Sequence, residues 1–174
     1  IDISIKDYLK KSKSFKHCTK SYRVGVDFNE KDLPVDPYYL GLWLGDGTSN
    51  LDAGVSIESM DKEVISYIYE YAEKLDLKVS KNEQKKSKSD SYRIVNKKIL
   101  GCKKDKKHLK YKLELLDLKN NKHIPLIYKT ASKKQRLKLL AGLIDSDGSK
   151  HRTSYDFIFK SKKLAEDIQY LVRS

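Results

Sequence analysis

The sequence predicts an α+β fold of two pseudo-symmetric units, each running motif helix, strand and capped helix, with the second unit truncated. Three observations carry that expectation. An apolar, glycine-punctuated stretch closing on Asp-Gly occurs twice, as Tyr39-Leu40-Gly41-Leu42-Trp43-Leu44-Gly45-Asp46-Gly47 and as Leu140-Ala141-Gly142-Leu143-Ile144-Asp145-Ser146-Asp147-Gly148. A strand-like segment and then an amphipathic segment headed by serine follow each copy. Only 27 residues follow Asp147, whereas about a hundred separate the two motif aspartates, so the second unit would lack most of its sheet.

Taken in chain order, residues 1–32 read as an arm: a short helix over Ile3–Leu9, a basic loop, and an alternating strand over Tyr22–Phe28. Residues 33–130 form the first unit and 131–174 the start of the second. Asp36-Pro37 supplies an N-cap and a first-turn proline for the first motif helix, and Ser132 with Gln135 forms a capping box for the second. Glycine is costly inside a helix unless another backbone must come close, so Gly41 and Gly142 mark a close crossing of the two motif helices. After the first motif, Gly54–Ile57 reads as a strand and Ser59 as the cap of a helix burying Val64, Ile68, Tyr71, Ala72 and Leu75. After the second, Tyr155–Phe159 reads as a strand and Ser161 as the cap of a helix burying Leu164, Ile168, Leu171 and Val172. The run His108–Leu115 alternates polar and apolar residues in the period of a half-buried strand.

The crossing carries Asp46 and Asp147, each at a helix C-terminal end, to one edge of the interface. Two carboxylates held close repel unless a cation neutralises them, and oxygen ligation with room for water suits magnesium, with manganese as substitute. That points to hydrolysis of a phosphodiester. For one copy alone, a buried helix stopped by a left-handed glycine cap is the simpler reading; two copies in matched context favour the site. Asp145, whose counterpart is Leu44, reads as capping or as support behind it.

Charge points to the same kind of partner. The chain carries a formal net charge of +13, and residues 78–112 hold fourteen lysines and arginines against Glu83, Asp90 and Asp105. Interleaved apolar residues suggest a sheet with one face in the core and the other tracking phosphates, through Lys81, Lys85, Lys86, Arg93, Lys97, Lys98, Lys110 and Lys112. Lys85–Ser91 reads as a solvated loop. Cys18 and Cys102 lack partners at zinc-ligand spacing, which suits a reduced, intracellular setting, and four scattered histidines offer no nucleophilic triad. No apolar run is long enough to span a membrane, and the start lacks a signal-peptide pattern.

The second motif resembles the one that names the LAGLIDADG homing endonucleases, and the resemblance extends over residues 33–174. It implies two saddle-like sheets over a central helix pair, and site-specific cleavage of double-stranded DNA at a long asymmetric target. In the intein-encoded members, a lysine just before an Ile-Pro pair organises water around the metals, and Lys122-His123-Ile124-Pro125 matches that arrangement. On this resemblance Asp46, Asp147 and Lys122 are the catalytic set, and the backbone carbonyls of Gly45 and Ser146 help hold Mg²⁺. The arm resembles the end of an intein splicing segment, making the splicing domain of the same precursor a partner and the complete enzyme a monomer. Two alternatives share the fold: a LAGLIDADG-type RNA maturase, and a degenerate non-catalytic DNA-binding insert of an intein.

Overall fold

Serine hydroxyls open the chain's first two helices. Ser4 caps α1 (Ile5–Lys10) and Ser12 caps α2 (Lys13–Cys18), accepting from the amides of Asp7 and Phe15. In this computed structural model the described residues are 2–19, 25–83, 89–97 and 109–174. Helix α1 falls where the sequence predicts one, but α2 replaces part of the expected basic loop. The expected strand over Tyr22–Phe28 lies partly outside the described residues, and residues 25–28 have no regular structure. Their groups bind a later helix instead: the Val26 carbonyl accepts from Arg136, whose guanidinium lies 5.3 Å from the Phe28 ring centroid.

Helix α3 (Pro37–Asp46) is the first motif, capped by Asp36, whose carboxylate accepts from Tyr38 and Tyr39. It is buried almost all round: Tyr39, Leu40, Leu42 and Trp43 are fully enclosed. A bridge from Gly47 to Ile57 joins its end to β1 (Ser56–Ser59). Gly54, expected inside that strand, has φ of 98° and turns the chain into it. Asp61, not Ser59, caps α4 (Lys62–Lys74); the Ser59 hydroxyl accepts from Asp61 instead. An aspartate two residues on competes better because its carboxylate reaches both Glu63 and Val64 amides. As the period predicts, α4 buries Val64, Ile68, Tyr71 and Ala72.

Strands β2 (Leu77–Asn82) and β3 (Asp90–Asn96) complete an antiparallel sheet in the order β1-β3-β2. The register pairs Ile57 with Tyr92, Lys81 with Tyr92, and Val79 with Ile94. Directly opposed residues share a face, so Leu77, Val79, Lys81, Tyr92 and Ile94 look toward α4. The opposite face carries Ser56, Glu58, Lys78, Ser80 and Arg93.

The predicted strand over His108–Leu115 is a helix, α5 (Leu109–Leu115); His108 itself lies outside the described residues. Leu109 and Leu113, the buried pair, are four apart and serve a helical face as well as an alternating one, while Leu115 is left exposed. Leucine, lysine and glutamate then favour helix. A turn and α6 (Leu126–Lys129) lead to the second motif helix, α7 (Lys133–Asp147), whose capping box of Ser132 and Gln135 forms as expected. Glycines after both motifs keep negative φ, −81° at Gly47 and −77° at Gly148, so neither helix ends on a left-handed cap.

Beyond α7, β4 (Ser149–His151) and β5 (Ser154–Asp156) form a two-stranded sheet, and Ser161 caps α8 (Lys162–Arg173). The strand expected to Phe159 stops at Asp156, since only three residue pairs have a partner. Leu164, Ile168 and Leu171 are buried as expected, but Val172 is 60% exposed, because no strand covers that side of α8 among the described residues. None of the helices described is long and apolar enough to cross a membrane.

Candidate active site

The site is built by the crossing of α3 and α7. A Cβ on Gly41 would run into the Leu139 carbonyl and sit 2.9 Å from the Leu143 amide; one on Gly142 would run into the Tyr38 carbonyl and sit 2.9 Å from the Leu42 amide. These two sets of atoms are equivalents under the offset of the motif copies, so the helices meet reciprocally, backbone on backbone. Toward their C-terminal ends Gly45 lies against Ser146, whose hydroxyl turns back to the carbonyls of Gly142 and Leu143. Asp46 and Asp147 are the last residues of the two helices.

The two carboxylates feel each other. Partial burial, then the charge of Asp147, pushes the Asp46 carboxyl up from 3.8 to about 6, with Lys122 pulling against them and Glu58 adding to the push. Lys122 is the counter-charge: its ammonium donates to the Gly45 carbonyl at 2.8 Å and lies 5.5 Å from the Trp43 ring centroid. Burial lowers its pKa to about 8, although Asp147 and Asp46 both oppose the fall. Its segment is fixed from α8, where buried Asp167 accepts from the Ile124 amide at 2.8 Å and from Lys129 at 2.6 Å.

Gly45, Lys122 and Asp147 line a cleft of about 490 Å³, with Ser49, Asn120 and Asn121 on the wall. Asp46, next to Gly45 in the chain, feels the charges of both Asp147 and Lys122 of that lining. A larger, shallower groove of about 750 Å³ lies between Asp27 and Glu30 of the arm and Lys133, Lys134 and Lys138 of α7. It begins at the opposite end of α7, about 20 Å from Asp147 at 1.5 Å per residue. Asp145 neither caps a helix nor faces the cleft; it accepts from the Tyr38 hydroxyl at 2.7 Å, pinning α3 to α7.

The candidate DNA-binding residues do not form one patch. Lys81 sits on the α4 side of the sheet, in ion pairs with Asp90 at 2.9 Å and Glu83 at 3.0 Å, while Arg93 lies on the other face. Lys97 pairs with Asp76 at 2.6 Å, and Lys110 with Asp52 and Glu114. Lys112 is half-buried at the end of α5. Lys85, Lys86 and Lys98 lie outside the described residues. Sequence reasoning missed the Trp43 platform under Lys122, the Asp167 tie and the polar wall of Ser49, Asn120 and Asn121; only the tryptophan, standing where the second copy has Ile144, offered a signal.

Residues 32–111 match the homing endonuclease family model. The match supports a homing endonuclease domain and, with it, a nuclease acting on DNA. The matched segment takes in Asp46, α4 and the three-stranded sheet, and stops short of Lys122 and Asp147. Over 150 residues the chain is also 31% identical to the replicative DNA helicase DnaB of Mycobacterium intracellulare, a similarity covering 86% of this chain and 20% of that protein. The chain thus spans about a fifth of the curated relative it matches.

Proposed function

We propose that the chain is the endonuclease part of an intein-encoded LAGLIDADG enzyme that cuts both strands of a long, asymmetric DNA site with Mg²⁺, or Mn²⁺ in its place. The observation that carries the reading is the meeting of Asp46 and Asp147 at the ends of two glycine-apposed helices, beside a half-buried lysine. The donor set fits a hard cation: two carboxylates that repel, and the Gly45 carbonyl, whose second lone pair is left by Lys122. Among the described residues no cluster of three or more His, Cys, Asp or Glu exists, so the remaining ligands would be the Ser146 carbonyl, water and the DNA itself. Bound there, the cation supplies Lewis-acid stabilisation of charge on the phosphate and the leaving oxygen.

The protein's own groups do the rest. The charge of Asp147 helps push the Asp46 carboxyl up, and a cation held by both would relieve that repulsion. Lys122, with a pKa near 8 and its ammonium anchored on Gly45, is placed to orient water and to hold or release a proton near neutral pH. Trp43 beneath it excludes solvent from one side.

The insert reading draws support from the helicase match. A segment with a nuclease-family signature, similar to one fifth of a replicative helicase, is what an element inserted into such a protein would leave; its partner would be the splicing domain of the same precursor. Cleavage of a randomised duplex library in Mg²⁺, with cut ends sequenced, tests the proposal. Recurrent cuts around one long motif, lost in Asp147→Asn, are expected; binding without any cutting by the wild type in Mg²⁺ or Mn²⁺ would overturn it. Binding should weaken steeply with salt, as phosphate neutralisation requires.

A further inference from the structure

The cleft holds a second cation. Lys160, on the loop between β5 and α8, lines it together with Lys122 and Asp147. The Ser161 hydroxyl that caps α8 reaches back to the Lys122 carbonyl at 3.5 Å, so the two lysine-bearing loops meet at that serine. Other lysines nearby are engaged: Lys129 by Asp167, Lys162 by Glu166, Lys119 by Asp52. Lys160 is exposed and makes no ion pair among the described residues.

Lys160 thus adds a second ammonium beside Lys122 in a cleft whose carboxylates, Asp147 and the neighbouring Asp46, are the ones assigned to the metal cation. Asn120, Asn121 and Ser49 add hydrogen-bonding groups without negative charge. Where these groups and the two lysines come together, a phosphodiester gains a charge-assisted contact. Resting on the nuclease reading above, we propose that Lys160 contacts a phosphate of the DNA strand cut on the Asp147 side and holds it in the cleft.

The contact belongs to one strand. Lys160 immediately precedes the cap of α8, and the residue that immediately precedes the Asp61 cap of α4 in the first half is Met60, which is 70% exposed and carries no charge. The two halves therefore treat their strands unequally, and removal of Lys160 has a strand-specific consequence.

The test uses the full chain and the duplex target recovered from the library. Lys160→Met should slow cleavage of one strand by roughly tenfold, leave the other within about twofold, and let nicked duplex accumulate. The slope of log affinity against log salt should fall by about 0.9, the share of one phosphate contact. Lys160→Arg should restore both readouts. Lys163→Met, which removes the same charge outside the cleft lining, should introduce no strand bias. Equal slowing of both strands, or an unchanged salt slope in Lys160→Met, overturns the assignment while leaving the nuclease reading intact. A wild-type chain that binds no duplex DNA overturns both.

Discussion

The ends of the two motif helices differ although their middles match. At the crossing, Gly41 and Gly142 exchange equivalent contacts with equivalent backbone atoms. Four residues on, the equivalence is gone: the α3 end has Trp43 and Gly45 with Lys122 seated on both, whereas the α7 end has Ile144 and a serine whose hydroxyl is spent within its own helix. The middle answers to packing, where any departure from reciprocity would open the helices. The tips answer to chemistry, and among the described residues only the α3 tip has a lysine against its backbone. A symmetric scaffold thus carries an asymmetric site.

The largest effect should come from the tips. Asp46→Asn and Asp147→Asn should each lower the cleavage rate by roughly a thousandfold in Mg²⁺ while duplex affinity stays within a few-fold. Quenched-flow cleavage beside a binding titration would show it, and an equal loss of binding would tell against a shared site for the two aspartates. Next come the middles. Gly41→Ala or Gly142→Ala forces the helix backbones apart and should cost about 3 kcal/mol in denaturant unfolding, with the double variant costing less than the sum because both remove one contact. Full additivity would mean that the glycines act separately.

Lys122→Met should slow cleavage by about a hundredfold. It should also raise stability at pH 7, because the folded ammonium titrates near 8, below the 10.5 of an unfolded lysine. The wild-type fold carries that cost in full below pH 8 and sheds it as pH rises toward 10.5. Melting curves of the two proteins should therefore converge by about pH 10; a constant gap would remove charge burial as its cause.

Asp46 gives the opposite dependence. Its folded carboxyl titrates near 6 against 3.8 unfolded, so the native state binds that proton more tightly, and stability falls as pH rises from about 4 to about 6. In chelator, Asp46→Asn should flatten this slope and gain about 1 kcal/mol at pH 7, a figure reduced for solvent screening. The smallest change is Tyr38→Phe, which removes the hydroxyl held by Asp145 and should cost about 0.5–1 kcal/mol without altering cleavage.

Local chemistry was legible where a short stretch of sequence contained both partners. The Ser132–Gln135 box, the Asp36-Pro37 cap, the Ser161 cap and the inward face of α4 could all be read because each is settled within a few residues. Gly41 and Gly142 could be read because an interior glycine is unfavourable without a reason outside the helix. The strand at 108–115 misled because Leu109 and Leu113 satisfy both periods, and the deciding residue propensities are weak beside an alternation over eight positions. Lys81 looked equivalent to Arg93 because alternation reveals that faces exist, while the register with Tyr92 decides which face is which. The site divided the same way. Asp46 and Asp147 followed from the repeat, and Lys122 from the resemblance, whereas the Trp43 platform and the Asp167 tie arise from segments far apart in sequence.

Arg136 sets a limit on how this protein can be shortened. Its guanidinium is buried, and among the described residues its hydrogen-bond acceptors are uncharged oxygens: the Ala131 and Val26 carbonyls and the Ser174 hydroxyl. Alongside it, Gln135 clasps both the amide and the carbonyl of Lys31. A truncation that begins where the family match begins, at residue 32, would strip the arm from α7 and leave a cation enclosed with one of its three acceptors gone. A piece that keeps this enclosure starts upstream of Val26, ahead of the residues that match the family model.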